Sequence, residues 1–102
     1  MVRTAGLDAV AQQWAEKLAG DKKLSHRSDL QARVLAACEG PCNGWAENVA
    51  FGGDVSTIWS QWLNSQVHRD NIDAPYPGEY GFGVAVADDG SLYAVQNFGQ
   101  YR

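Results

Sequence analysis

The chain has 102 residues, 45% apolar and 20% charged, with a formal net charge of −4. These are ordinary globular proportions at a length that supports one core, and they argue against a disordered or fibrous chain. The densest basic patch is Lys22-Lys23 with Arg27, too little for nucleic acid, which needs several clustered cations, or for an anionic membrane surface; no apolar run approaches the roughly 18 residues of a transmembrane segment.

In chain order, Leu7, Val10, Ala11, Trp14 and Leu18 form one stripe of a 3.6-residue period, while Asp8, Gln12, Gln13, Glu16 and Lys17 lie elsewhere. This predicts an amphipathic helix with Thr4 placed to N-cap it, Asp8 suited to its positive end and Gly20 expected to stop it. Trp14 falls on the apolar stripe and is read as core. After Asp21-Lys22-Lys23 comes a polar loop, Leu24 to Asp29, that carries His26. A lone loop histidine is more often a solvated side chain than a functional one. Ser28 or Asp29 can cap a short helix over Leu30 to Ala37, where Leu30 and Val34 share a face.

Cys38 and Cys42 enclose Glu39-Gly40-Pro41. Gly-Pro turn chemistry can bring their Cα atoms within the roughly 4.4–6.8 Å that a disulfide requires. A local disulfide is therefore expected; so small a loop constrains few unfolded conformations, and its stabilisation should sit at the low end. It hints at an oxidising compartment. The alternatives are two free thiols, or a zinc site, for which Cys-x3-Cys has no second ligand pair at metal spacing.

Gly44 to Phe51 reads as a strand with Trp45, Glu47, Val49 and Phe51 on one side and Ala46, Asn48 and Ala50 on the other. Glu47 thus shares an apolar side, where a carboxylate is costly unless paired; otherwise the segment bends it to solvent, or an arginine neutralises it. Gly52-Gly53-Asp54 is a turn ending in an N-cap, and Val55, Ile58, Trp59, Trp62 and Leu63 follow helical spacing. Ser65-Gln66 is expected to end this helix, leaving His68 and Arg69 just beyond its C-terminus, where the dipole favours a cation. Asp73 to Gly78 is a loop, since Pro75 and Pro77 remove two donors. Tyr80 to Ala87 and Ser91 to Phe98 are strands joined by the tight hairpin Asp88-Asp89-Gly90, and Gly81 and Gly83 keep one face flat for close approach of a helix. Both faces of the last strand are largely apolar, which implies cover on both sides. The fold class expected is α+β, with a small antiparallel sheet between helical layers.

Taken together, Leu24-Ser25-His26, Ala46-Glu47-Asn48-Val49-Ala50, Trp62 to Ile72, Gly81-Phe82-Gly83-Val84-Ala85 and Tyr93 to Gly99 resemble, in order, a bacterial member of the CAP superfamily, the SCP-like extracellular domain, over residues 7–99. The most specific part is the block Trp62-x-x-Ser65-x-x-His68-Arg69-x-Asn71-Ile72. The resemblance implies a single domain over residues 1–102 with an α-β-α sandwich fold, a secreted or cell-envelope location with a signal peptide outside this chain, and a cleft where two histidines and acidic residues converge. Carried over residue by residue, these are His26, Glu47 and His68, with Ser65 where many eukaryotic relatives place a second glutamate. The family's opening helix with its His-Asn-x-x-Arg motif is absent, and Val67 stands where glycine is common. Two neutral imidazoles and a carboxylate supply three N/O ligands and leave one position open, so His26, His68 and Glu47 are candidate ligands of a divalent metal such as zinc.

Three functions are compatible with this pattern, because a fold does not settle function. The first is a secreted, non-enzymatic domain binding a small amphiphile or other lipid, a glycan or an extracellular protein. The second is a metal- or His-dependent hydrolase, a protease or esterase, with Ser65 beside His68 as nucleophile and base; against it, neither His-Glu-x-x-His nor Gly-x-Ser-x-Gly occurs. The third is a structural protein-interaction module whose polar cluster only stabilises the fold.

Overall fold

The computed structural model describes residues 1–102. In chain order its elements are β1 (Val2–Arg3), α1 (Ala5–Asp21), α2 (Leu30–Ala37), β2 (Gly44–Gly52), α3 (Val55–Asn64), α4 (Gln66–Asp73), β3 (Gly78–Val86) and β4 (Leu92–Gln100). The strands form one sheet in the order β1-β3-β4-β2. The β3–β4 hairpin and the β2–β4 pair are antiparallel, and β1 joins β3 in parallel through Val2↔Glu79 and Arg3↔Tyr80. The sheet is therefore mixed rather than purely antiparallel; a two-residue strand is too short to show a period.

Alternation along the strands divides the core in two. Val49, Tyr93 and Val95 pack with Ala11, Ala15 and Leu18 of α1. On the opposite face Ala50 and Ala94 pack with Ile58 and Trp62 of α3, flanked by Ile72 and Phe82. This is the expected α+β sandwich of helices around a sheet. No helix is long and apolar enough to cross a membrane.

Thr4 caps α1, its hydroxyl accepting from Leu7 N–H at 3.4 Å. The helix runs through Gly20 and stops only where Lys22 turns left-handed at φ 50°, so the expected stop at Gly20 is corrected. There Lys23 N–H donates back to Leu18 O at 3.3 Å, and the Lys22 ammonium meets Asp88 at 2.6 Å. Side-chain pairing across to the β3–β4 turn accompanies a left-handed residue that is not glycine.

Gly81 and Gly83 lie directly under α1: a Cβ at either would overlap the helix backbone at Leu7 and Asp8, or at Ala11 and Gln12. So close an approach lets helix side chains finish the strand's hydrogen bonding. Asp8 Oδ1 accepts from Phe82 N–H at 2.9 Å, while the Gln12 amide accepts from Val84 N–H at 3.0 Å and donates to Val84 O at 2.9 Å. Because β1 pairs only as far as Tyr80, these bonds satisfy backbone groups that would otherwise face no strand.

His68 also lies elsewhere than expected. Ser65 is extended, at φ −107° and ψ 119°, which ends α3 and starts α4, with Ser65 O accepting from Arg69 N–H at 2.8 Å. His68 and Arg69 thus lie in the first turn of a new helix, not beyond the C-terminus of the previous one. The helix dipole there disfavours a cation, the opposite of what a position beyond a C-terminus would do. No residue of α4 is buried, so it carries no apolar period from which it could be read.

Gly81→Ala is expected to lower stability by about 1–3 kcal/mol, the usual range for overpacking. Gly53→Ala, whose Cβ would meet nothing within 4 Å, should leave the urea midpoint unchanged. Equal midpoints for the two variants would show that α1 does not rest on the glycine face.

Candidate functional site

Glu47 points from β2 toward the α1 layer, its side chain 1% exposed. Its Oε1 accepts from Arg27 N–H at 2.9 Å and from His26 Nδ1 at 3.0 Å, and its Oε2 accepts from Asn97 Nδ2 at 2.9 Å. Asn97 is its register partner on β4. Three donors thus converge on one buried carboxylate, which offsets its desolvation. With Nδ1 turned to the carboxylate, the His26 ring presents Nε2 outward. The His26 side chain is 63% exposed.

Arg27 contributes to Glu47 through its backbone, not its guanidinium. That group is buried against α1, bonded to Asp29 Oδ1 at 2.7 Å, Gln13 Oε1 at 2.7 Å and Val10 O at 3.1 Å, with the Trp14 ring centroid 5.4 Å away. Trp14 Nε1 donates to Ser25 O at 2.9 Å. The tryptophan read as core is therefore also the surface on which the His26 loop is clamped.

The next residue along β2 faces the other layer. Asn48 is fully buried; its Nδ2 donates to His68 O at 3.1 Å and Gln96 Oε1 at 3.2 Å, and its Oδ1 accepts from Asn71 Nδ2 at 2.9 Å. This tethers α4 to the sheet. His68 is half-buried and its Nδ1 lies 2.8 Å from Ser65 Oγ, so it too offers Nε2. Burial first, and then the charge of the nearby His26, hold the His68 imidazole below its ordinary pKa.

The three expected metal ligands do not form a three-donor cluster. The single place where three such donor atoms lie within 4.8 Å of one another is Cys38, Cys42 and Glu79. Both Glu47 oxygens accept hydrogen bonds, and through Oε1 the carboxylate orients His26. The sequence reading missed Arg27, Asn48 and Asn97 as positioning residues; Asn97 in particular is visible only through the register that sets it opposite Glu47. Its Oδ1 is the one buried side-chain polar atom without a partner.

The largest cavity, about 500 Å³, adjoins this network at Gln96. It opens on the α3–α4 side, between Trp59, Ile72, Tyr76, Phe82 and Phe98, with Arg3 and Gln96 among its polar groups. None of His26, Glu47 or His68 lines it.

No family model matches the chain, and no curated protein matches it by sequence. Solved structures do resemble it. An outer surface protein of Borrelia burgdorferi superposes with a TM-score of 0.80 at 22% identity, covering 100% of this chain and 78% of that one. Venom allergen-like protein 4 of Schistosoma mansoni superposes with a TM-score of 0.68 at 14% identity, covering 96% of this chain and 66% of that one. At such identities the likeness is one of fold, and it supports a CAP-like fold.

His68 should titrate below the ordinary histidine value of about 6.5, with a midpoint that rises, without returning fully, in His26→Asn. Because its pKa is lower folded than unfolded, the unfolded chain binds the proton better; the His68 contribution to stability is complete above about pH 6.5 and declines as pH falls toward the folded value. Imidazole NMR against pH reads both effects, and an unchanged His68 midpoint in His26→Asn would separate the two rings. Glu47→Ala strands buried donors and should cost about 1–3 kcal/mol for each. Glu47→Gln should cost less, because Asn97 can turn its amide to offer the unpartnered Oδ1; equal denaturation midpoints would contradict this.

Proposed function

We propose that the protein is a non-enzymatic binding domain, acting outside the cell or in its envelope, whose histidine face receives a small amphiphile, a glycan or an extracellular protein. The observation that carries this reading is the pairing of a sealed, fully bonded Glu47 with an exposed imidazole whose Nδ1 is held against it. Such an arrangement presents a recognition atom to solvent in a set orientation. Of the three ligand classes the amphiphile is favoured, because the apolar groove includes Ile72, one helical turn after His68 and on the same side of α4. The name of one fold neighbour, an outer surface protein, and the disulfide both agree with an extracytoplasmic location. A divalent ion such as zinc, held by the His26 and His68 imidazoles, would need further donors from the ligand or from water, since the three side chains do not form one donor cluster.

The contact between Ser65 Oγ and His68 Nδ1 at 2.8 Å favours a second reading, hydrolysis. A nucleophile–base pair also needs a third group to orient the base. Glu47 plays that part for His26, not for His68. Ser65 and His68 occupy the N-cap and third position of α4, where helix geometry alone brings the two side chains together.

Zinc titrated into the protein should move the imidazole NMR signals of both His26 and His68; no movement in either removes the metal from the proposal. Ester and peptide turnover should stay at background and be equal in wild type and His68→Ala, while turnover lost in the variant would establish the hydrolase. A single-chain amphiphile below its micelle concentration should raise the melting temperature, by about 2.7 kcal/mol of added stability at a hundred times Kd. No rise with any chain length would leave the groove without the role assigned to it.

A further inference from the structure

A second buried glutamate lies beneath the disulfide loop. Glu79 of β3 is 2% exposed; its Oε1 accepts from Glu39 N–H at 3.0 Å, and its Oε2 accepts from Gly40 N–H at 2.7 Å and from the Tyr101 hydroxyl. Burial pushes this carboxyl up, but the Tyr101 hydroxyl, the two loop amides and Thr4 outweigh it and leave the pKa below the ordinary value. The phenol is pushed up to about 12 by the same contact. The carboxylate is thus ionised and fixed at neutral pH.

The disulfide joins Cys38 and Cys42, and both sulfurs stand over Gly99, the register partner of Glu79 on β4. A Cβ at Gly99 would overlap them. The loop is also held without the S–S bond: Cys38 N–H donates to Val34 O at 2.9 Å at the end of α2, Cys42 N–H donates to Gly40 O at 2.9 Å, and Glu79 binds the two amides between. In the disulfide form the two sulfurs and a Glu79 oxygen already lie within 4.8 Å of one another, so opening the bond leaves two thiols beside an anchored carboxylate. Bond lengths near 2.3 Å to sulfur and 2.0–2.2 Å to oxygen set the ligands of a tetrahedral zinc roughly 3.3–3.8 Å apart, so the two sulfurs, about 2.05 Å apart in a disulfide, must part by roughly 1.7 Å once the bond is open, while the carboxylate stays where its amides hold it.

We propose that the reduced loop is a metal site in which the Cys38 and Cys42 thiolates and the Glu79 carboxylate bind one zinc-class ion. A dithiol reductant supplies two electrons and two protons and becomes a disulfide, while the Cys38–Cys42 bond opens to two thiols; the incoming divalent ion then displaces both thiol protons to solvent. Two thiolates with one carboxylate select zinc, cobalt or cadmium over magnesium or calcium, and one coordination position stays open to water. Exchange with a disulfide oxidant, which takes the two electrons and is itself reduced to a dithiol, re-forms the Cys38–Cys42 bond, removes both sulfur ligands and releases the ion. The Cys-x3-Cys spacing alone lacks further ligands; the third comes from a strand far along the chain.

The full chain, reduced with dithiothreitol and freed of it anaerobically, would be titrated with Co²⁺. One equivalent should bind with a thiolate-to-metal charge-transfer band that the oxidised protein lacks and that Zn²⁺ abolishes by displacement. Glu79→Gln should weaken binding by about tenfold or more, the size seen even for loss of an outer-shell partner, with both thiols still titrating. Should Glu79→Gln not fold, Cys42→Ser, which retains Glu79, should lose at least as much affinity. The proposal is overturned by reduced wild type that shows no such band, by reduced wild type that unfolds, since the site requires the loop to stay seated, or by either variant binding as tightly as wild type.

Discussion

The arrangement of the histidine face depends on two consecutive side chains of an edge strand leaving in opposite directions. Glu47 enters the α1 layer and gathers Arg27, His26 and Asn97; Asn48 enters the other layer and gathers His68, Asn71 and Gln96. The strand period of two makes this division obligatory. A slip of one residue in the pairing of β2 with β4 would send the carboxylate among Ile58 and Trp62 and leave the His26 loop without its anchor. Elements from both helical layers are thereby referred to one strand.

A shared device recurs in the molecule. Each of two buried glutamates seats a loop by accepting its backbone amides: Glu47 takes Arg27 N–H, and Glu79 takes those of Glu39 and Gly40. Charge-assisted bonds to amides are short and strong enough to offset removal of a carboxylate from water. In each case the seated loop presents something reactive toward donors or acceptors, an imidazole in one and a pair of sulfurs in the other. Opposite layers do not share this work, since both glutamates lie on the α1 side of the sheet, where Gly81, Gly83 and Gly99 let the covering elements approach closely.

Close approach also explains why α1 can act as more than cover. With the Gly81 and Gly83 positions empty of side chains, Asp8 and Gln12 reach the β3 backbone and replace a missing strand. The same helix supplies Val10 O, Gln13 and Trp14 to hold Arg27. The position of His26 is thus set by helix, strand and loop together, and its exposure is compatible with order.

What the sequence determined by itself was whatever a local period or a short turn encodes: the amphipathic stripe of α1, the alternation of β2 that sets Glu47 and Val49 on one side and Asn48 on the other, the flat glycine face of β3, and the closeness of Cys38 and Cys42. Interactions between residues near in sequence decide these, so the order of residues suffices. Tertiary structure alone decided that Ser65 breaks one helix into two, that Lys22 and not Gly20 ends α1, that Glu47 accepts from Arg27, His26 and Asn97, and that Glu79 stands beneath the two sulfurs. Each of those depends on partners brought together by strand register and layer packing, such as Asn97 opposite Glu47 and Gly99 opposite Glu79, and no local pattern specifies a partner dozens of residues away.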